Sequence, residues 1–379
     1  MSNSTSEDLY CPLLQRMREH SLNNNNETNV VVVCLHGLFS CVGILENALI
    51  LWVVGFRLRR RTVASVWVLN LAMSDFLATL TLPLFTFYFS SSHSWLLGNA
   101  LCKTETSIFF MNMFMSAFLL AAISLDRLLM AVRPVWSQNH RSVAGAWKVC
   151  ALGWLWAAIN TLPYTVFRSV TQKQDGKNLC YHNFALISSS QATLERDCKV
   201  RQAATAISKL LLAFLVPLVV IAASYIHIGF SLKKREKKRN FTRMVAFVIA
   251  AFALCWAPYH IICIIEVTAQ YWDNLHLVEV GLPLATTIAF LNPVLNPVLY
   301  AFSCPHFCVR IRQSLGAVFD GLVEEGGGLL AMPGRSIRAH IRRRSSRDVS
   351  LGTPGSPKGS YSPRQSDNNQ PPSCNPLPF

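Results

Sequence analysis

Charge is scarce in this chain. Asp, Glu, Lys and Arg make up only 15% of it against 51% hydrophobic residues, which leaves too little polar surface to cover the core of a soluble globule. Acidic residues are scarcer than basic ones, 20 against 35. In a soluble protein that excess would suggest nucleic acid. Here the basic residues stand in short clusters at the ends of apolar runs and in the tail, so they are read as topology determinants and contacts to anionic membrane lipids, with no nucleic acid as partner. Catalytic signatures are also missing: there is no HExxH, no GxSxG and no phosphate-cradling glycine loop, which argues against an enzyme. No internal repeat is found, unlike transporters built from matched halves with interrupted helices in corresponding places. Residues 1–29 lack the basic, apolar, then small order of a cleaved signal peptide.

What is present is a series of seven apolar runs: Val30–Phe56, Ala64–Ser90, Leu101–Val132, Lys148–Phe167, Ala203–Leu232, Phe241–Ala269 and Leu277–Ser303. Each is long enough to cross ~30 Å of hydrocarbon as a helix. Arg57, Arg59, Arg60 and Arg61 follow the first run; Arg133, Arg141 and Lys148 lie between the third and fourth; Lys233, Lys234, Arg235, Lys237, Lys238 and Arg239 separate the fifth from the sixth. Such clusters belong on the cytoplasmic side. The linkers 91–100 and 270–276 carry no Lys or Arg, so the N-terminus is expected outside and the C-terminus inside, in the plasma membrane. Asn3 and Asn26 head glycosylation sequons ahead of the first run, where an outside N-terminus wants them.

Each run also carries a feature that a purely structural helix would avoid. These are Asn47, Asp75, Trp154, Pro217 with Tyr225, Cys255-Trp256-Ala257-Pro258, and Asn292-Pro293 followed by Asn296-Pro297-Val298-Leu299-Tyr300. Within the third run the uncharged stretch from about Ser107 to Leu125 ends in Asp126-Arg127, an acid beside an arginine at its foot. Taken singly, Arg127 reads equally as a snorkelling anchor, and each polar residue as a helix–helix hydrogen bond.

As a set, in this order, they resemble the rhodopsin-like G-protein-coupled receptors over about residues 30–320. Leu128 departs from that pattern, which usually has an aromatic residue after the arginine. The resemblance implies an all-α membrane protein: an extracellular segment 1–29, a seven-transmembrane bundle 30–303, an amphipathic membrane-surface helix 304–320, and a disordered cytoplasmic tail 321–379. Asp75 lies near mid-bilayer, and Asn112, Ser116 and Asn292 can offer oxygens to a small cation beside it; the matching positions build the family's sodium pocket, and no other cofactor is expected. Pro217, Pro258 and Pro297 remove backbone hydrogen bonds and kink their helices. Trp256, ahead of the Pro258 kink, is the expected ligand sensor. Asp126 and Arg127, with Tyr225, Asn296, Pro297 and Tyr300, form the expected switch for the G protein. Cys102 and Cys180 match the family's loop-to-helix disulfide. Cys11 and Cys198 are left over on the outer side and are expected to pair, tying the N-terminal segment over the pocket mouth, with a free Cys11 thiol as the alternative.

The outer half is rich in aromatic residues: Phe85, Phe87, Tyr88, Trp95, Phe109, Phe110, Tyr259 and Phe290. The outer third run has Phe109 where amine receptors place an acidic counter-ion, which disfavours an amine ligand. Lys209 lies eight residues before Pro217 in an otherwise uncharged stretch, and Arg168 follows the fourth run. Two cations over an aromatic cavity suit an amphipathic carboxylate. Lys209 snorkelling outward, or paired with Glu266, is the alternative; Glu266 can also serve the first reading by partly neutralising Lys209 in the empty receptor.

The stretch 133–141 is similar in pattern to the chemoattractant branch of the family, both its formyl-peptide and its prostaglandin D2 receptors; Phe167-Arg168, Ile207-Ser208-Lys209, the run 211–217 and Cys255–His260 resemble the prostaglandin D2 type. That likeness implies that Lys209, Arg168 and Tyr259 hold a lipid carboxylate of the prostaglandin D2 type, with Phe109, Phe110, Phe87 and Phe290 around its chains. It also implies coupling to an inhibitory heterotrimeric G protein and leukocyte chemotaxis. Tyr181-His182 stands where the prostaglandin D2 type has two tyrosines after the loop cysteine, which opens ligand preference and pH dependence to question. A receptor for formylated or acidic peptides is the runner-up; a channel or transporter would need a continuous polar path, which the Phe-rich half opposes.

Beyond Tyr300, the stretch 305–319 can lie on the inner leaflet with Phe307, Ile311, Leu315 and Val318 toward lipid and Arg310 and Arg312 toward phosphates. Cys304 and Cys308 are palmitoylation candidates. Arg342-Arg343-Arg344-Ser345-Ser346 invites phosphorylation, which would turn a basic, membrane-attracted tail toward arrestin.

Overall fold

The computed structural model describes residues 10–19, 26–58, 60–187, 191–231, 235–268 and 275–303. Seven of its helices are long and apolar enough to cross a membrane. The first span is α2, Asn26–Trp52, continued by a π-helical turn at Val53–Arg57. α3, Val63–Ser90, and α4, Gly98–Val132, form the second and third spans, and α6, Val143–Val166, the fourth. The fifth joins α7, Gln191–Leu210, through a π-helical segment, Leu211–Leu215, to α8, Val216–Ser231. α9, Arg235–Thr268, is the sixth; α10, Leu275–Ala289, and α11, Leu291–Ser303, make up the seventh.

Side-chain caps set several of these boundaries. Thr62 and Ser65 cap each other's backbone N–H at the start of α3, satisfying donors that the helix leaves over. The Ser142 hydroxyl accepts from the Gly145 N–H and starts α6 at Val143, ahead of the apolar run that begins at Lys148. The fifth span begins well before Ala203, because the polar stretch from Gln191 continues the helix outward and carries Cys198.

Among the described residues, three elements lie outside the spans. α1, Pro12–Glu19, is a short helix in the N-terminal segment. α5, Pro134–His140, opens with Pro134 in its first turn, where a missing N–H costs nothing. A hairpin of β1, Arg168–Gln172, and β2, Asn178–His182, follows the fourth span, with Arg168 opposite His182 and Val170 opposite Cys180. The bundle end bearing α1 and the hairpin is termed the outer end.

Polar bonds join the spans across an apolar core. The Asn47 amide donates to the carbonyls of Gly43 at 2.9 Å and Pro293 at 3.1 Å, linking the first and seventh spans. Trp154 Nε1 donates to Asn70 Oδ1 at 3.0 Å, linking the fourth and second. Here, then, the helix–helix reading of two of these residues holds, as expected where the lipid-facing alternative is an unsatisfied polar group. Gly43 allows a close approach, since a Cβ there would stand 2.5 Å from a Thr79 methyl carbon. Among the largest fully buried side chains are Trp256, Tyr164, Phe114, Phe252 and Phe290.

Candidate functional site

At the outer end the bundle encloses a cavity of about 100 Å³, lined by residues of the second, third, fifth, sixth and seventh spans and the hairpin. Lys209 enters it from the last turn of α7 and is 4% exposed. Its Nζ lies 3.2 Å from Cys263 Sγ and over the rings of Tyr259, Phe110 and Tyr164 at 5.3, 5.6 and 5.6 Å. Ring faces hold such a cation by their quadrupole, so Lys209 stays in the bundle and does not snorkel. Among the described residues no carboxylate forms an ion pair with it; the pairing with Glu266 is not made. Tyr164, stacked on Phe110 at 4.0 Å, donates its hydroxyl to the Thr205 carbonyl at 2.9 Å and so fixes that wall.

Arg168 arrives from the hairpin, where its Nε donates to Cys180 Sγ at 3.3 Å. Cys180 is bonded to Cys102 at the top of α4, and Cys11 to Cys198 on α7, so both expected disulfides form. Burial lowers the affinity of the Arg168 guanidinium for its proton, and the nearby Glu105, Tyr259, Glu266 and Tyr88 oppose this. The hairpin is further pinned by Trp95 N–H donating to the Asn178 carbonyl at 2.8 Å and Val170 N–H to Asn99 Oδ1 at 3.2 Å.

The hairpin and α1 pack together at the outer end. Leu13, Leu14 and Met17 of α1 pack with Tyr181 and Val278. Arg18 Nε donates to the Gln172 carbonyl at 3.1 Å, and Gln174 N–H to the Arg18 carbonyl at 3.0 Å. Lys173 in the hairpin turn meets Glu279 of α10 at 3.5 Å, both side chains nearly fully buried.

Several expectations need correction. Phe87 is 41% exposed and faces away from the cavity; Phe85 and Tyr88, three residues apart on α3, take the inward face instead. Phe290 lies just outside the lining and packs on Phe109 and Phe85 at 5.4 and 5.6 Å. Phe109 does line the cavity, but one turn above it on the same helix stands Glu105, 1% exposed. The third span therefore does bring an acid to the pocket, above the depth where the sequence places Phe109. Its signal was legible: a lone acid close after Cys102. Glu266 also lines the cavity, accepting from the Tyr181 hydroxyl.

Trp256, 1% exposed, sits beneath the cavity, 6.1 Å from the Phe109 ring. Below it, Asp75 accepts from the Asn112 amide at 2.9 Å and the Asn296 amide at 2.8 Å, and the Ser116 hydroxyl donates to Asn292 Oδ1 at 3.3 Å. The four residues singled out for a cation thus gather in one place. Asn296, assigned from sequence to the G-protein switch, is a fifth member, and its Oδ1 is buried without a partner. At the inner end Asp126 is held bidentately by Arg141, both contacts 2.8 Å. Tyr225 is buried nearby in α8 and Pro297 lies within α11. Asn26 opens α2 and Tyr300 lies in α11, but their side chains, like Asn3, Cys304, Cys308, the stretch 305–319 and the tail, lie outside the described residues.

His182 is buried on the cavity wall, stacked on Phe184. Burial first, then Arg168 and Lys209, holds its protonation far below the ordinary value near 6.5. A ring kept neutral contributes no titration as pH falls from about 8 to about 6. His182→Gln and wild-type receptors should therefore show parallel pH profiles of ligand binding; a pH dependence lost in the variant would contradict this.

A family model described as 7 transmembrane receptor (rhodopsin family) matches residues 46–300. The chain is 46% identical over 346 residues to prostaglandin D2 receptor 2 of Rattus norvegicus, covering 89% of this chain and 85% of that protein. It is 47% identical over 341 residues to the protein of the same name from Mus musculus, covering 87% and 88%. Chemerin-like receptor 1 of Sus scrofa is 34% identical over 360 residues, covering 92% of this chain and 98% of its own.

Proposed function

The chain belongs to the rhodopsin family of seven-transmembrane receptors, and from that premise we propose that it responds to an amphipathic lipid carboxylic acid, with prostaglandin D2 the first candidate. One observation carries this reading: two cations, Lys209 and Arg168, line one aromatic cavity with no carboxylate paired to either among the described residues. A ligand carboxylate would take their charge, with Tyr259 as a hydroxyl donor, and its chains would lie among Phe109, Phe110 and Phe85. The names of the two rodent relatives agree with that chemistry. At about 100 Å³ the cavity is smaller than the roughly 300–1,000 Å³ of ordinary ligand pockets, so entry of a lipid must part the rings. A receptor for a formylated or acidic peptide, using the same two cations, is the runner-up.

The same ring contacts suggest how binding is transmitted. Ligand pressing on Phe109 would shift Trp256, and the helix bends most easily at Pro258, which leaves a carbonyl unpaired. Movement at the inner end would then strain the Asp126–Arg141 pair and expose Arg127 and Tyr225 to an inhibitory G protein, with arrestin engaging the tail once phosphorylated. This scheme takes the protein in the plasma membrane with its N-terminus extracellular, an orientation that the basic clusters favour.

The carboxylate of Asp75, the oxygens of Ser116 and Asn292, and the partnerless Asn296 Oδ1 form a donor set suited to a sodium ion. Bound there, sodium would favour the resting conformer, since a ligand preferred by one state shifts the population toward it. Agonist affinity in wild type should fall when sodium replaces a bulky organic cation, and Asp75→Asn should abolish the difference; a sodium effect that survives in the variant would remove the site.

Suppression of cyclic AMP by prostaglandin D2, with surface expression matched, tests the ligand reading. Lys209→Ala and Arg168→Ala should each cost on the order of 2–5 kcal/mol, tens-fold or more in potency. A wild type without response would move the assignment to another acid or a peptide, and a response indifferent to both substitutions would refute the binding site.

A further inference from the structure

Glu105 is an acid of the cavity to which the lipid-acid reading gives no part in contacting the ligand. It is 1% exposed and lines the cavity. Its place is fixed by the outer disulfide: Cys102 lies one turn before it on α4, and Cys180 carries Arg168 in from the hairpin. Glu266, the other acid of the cavity, has the Tyr181 hydroxyl as a side-chain donor. Glu105 is served far less well. Among the described residues its one side-chain hydrogen bond comes from the hydroxyl of adjacent Thr106 at 3.3 Å, and no ion pair joins it to Arg168.

A ligand that fills the cavity displaces the water that would otherwise solvate this carboxylate. A buried acceptor left without a donor is costly, and the cost falls on any ligand that fails to supply one. Sites of this kind discriminate strongly between a hydroxylated molecule and its deoxy counterpart, because the deoxy form leaves the protein group unpaired. We propose that Glu105 is a specificity determinant that accepts a hydrogen bond from a ligand hydroxyl, so that the receptor selects hydroxylated lipid acids over otherwise identical acids lacking that group. The proposal rests on the lipid-acid reading and narrows its ligand class.

Competition binding on membranes tests it, using prostaglandin D2 and analogues each lacking one of its hydroxyls, on wild type, Glu105→Leu and Glu105→Gln. Every compound carries the same carboxylate, so its repulsion by Glu105 cancels from the ratio of affinities. In wild type, one deoxy analogue should bind roughly tenfold or more weakly than the parent. In Glu105→Leu the penalty should shrink to within about threefold. Glu105→Gln, nearly isosteric and still able to accept through one oxygen, should lie between them and serves if the leucine variant fails to reach the surface. Tight binding of prostaglandin D2 with no hydroxyl preference, or a preference unchanged in both variants, overturns the proposal alone. No binding of any compound to well-expressed wild type overturns the lipid-acid reading and this proposal with it.

Discussion

Two basic side chains held inside an apolar bundle are the constraint on which the outer half of this molecule depends. A cation withdrawn from water needs compensation. Lys209 obtains it from three aromatic faces and a sulfur, and Arg168 from the sulfur of the outer disulfide and the diffuse field of two carboxylates. That compensation is partial by design of the lining: neither cation has a carboxylate in contact among the described residues. The site is therefore poised to gain from an anion that reaches it.

The surrounding elements keep that arrangement in place. The Cys102–Cys180 bond and the backbone contacts of Trp95 and Val170 hold the hairpin on the third span. The Cys11–Cys198 bond fastens α1 to the fifth, and the apolar side of α1 covers Tyr181 and Val278. Burial of the lining side chains keeps the local dielectric low, which strengthens any charge pairing made among them. Beneath the cavity, the Phe109 ring packs against Trp256 at 6.1 Å. A packed interior of this kind transmits a displacement instead of absorbing it.

Much of this was legible in the amino-acid order. Seven spans, the prolines and the polar residues of the core follow from run length and residue type; the Cys102–Cys180 bond is implied by the family resemblance, and Cys11–Cys198 by what that pairing leaves over on the outer side. Lys209 was legible because a lone lysine in an apolar run has few explanations. The misses have physical causes. Phe87 was grouped with its neighbours by composition, although helical phase turns it outward. Glu105 sits near a span end, where an acid reads as interfacial until the hairpin is seen to bury it. The partner of Asp126 comes from Arg141, beyond a short helix that apolar periodicity does not announce. α1 and the hairpin depend on long-range contacts and disulfides, which local propensity does not encode.

The central claim is that a ligand carboxylate is held by Lys209. The most direct measurement compares binding of prostaglandin D2 and its methyl ester, which has lost the negative charge and little else, to wild type and Lys209→Met. Esterification should weaken binding to wild type by tens-fold and to the variant by no more than about threefold, as expected when both changes remove the same charged contact. An ester penalty of equal size in the two receptors would mean that the carboxylate is held elsewhere.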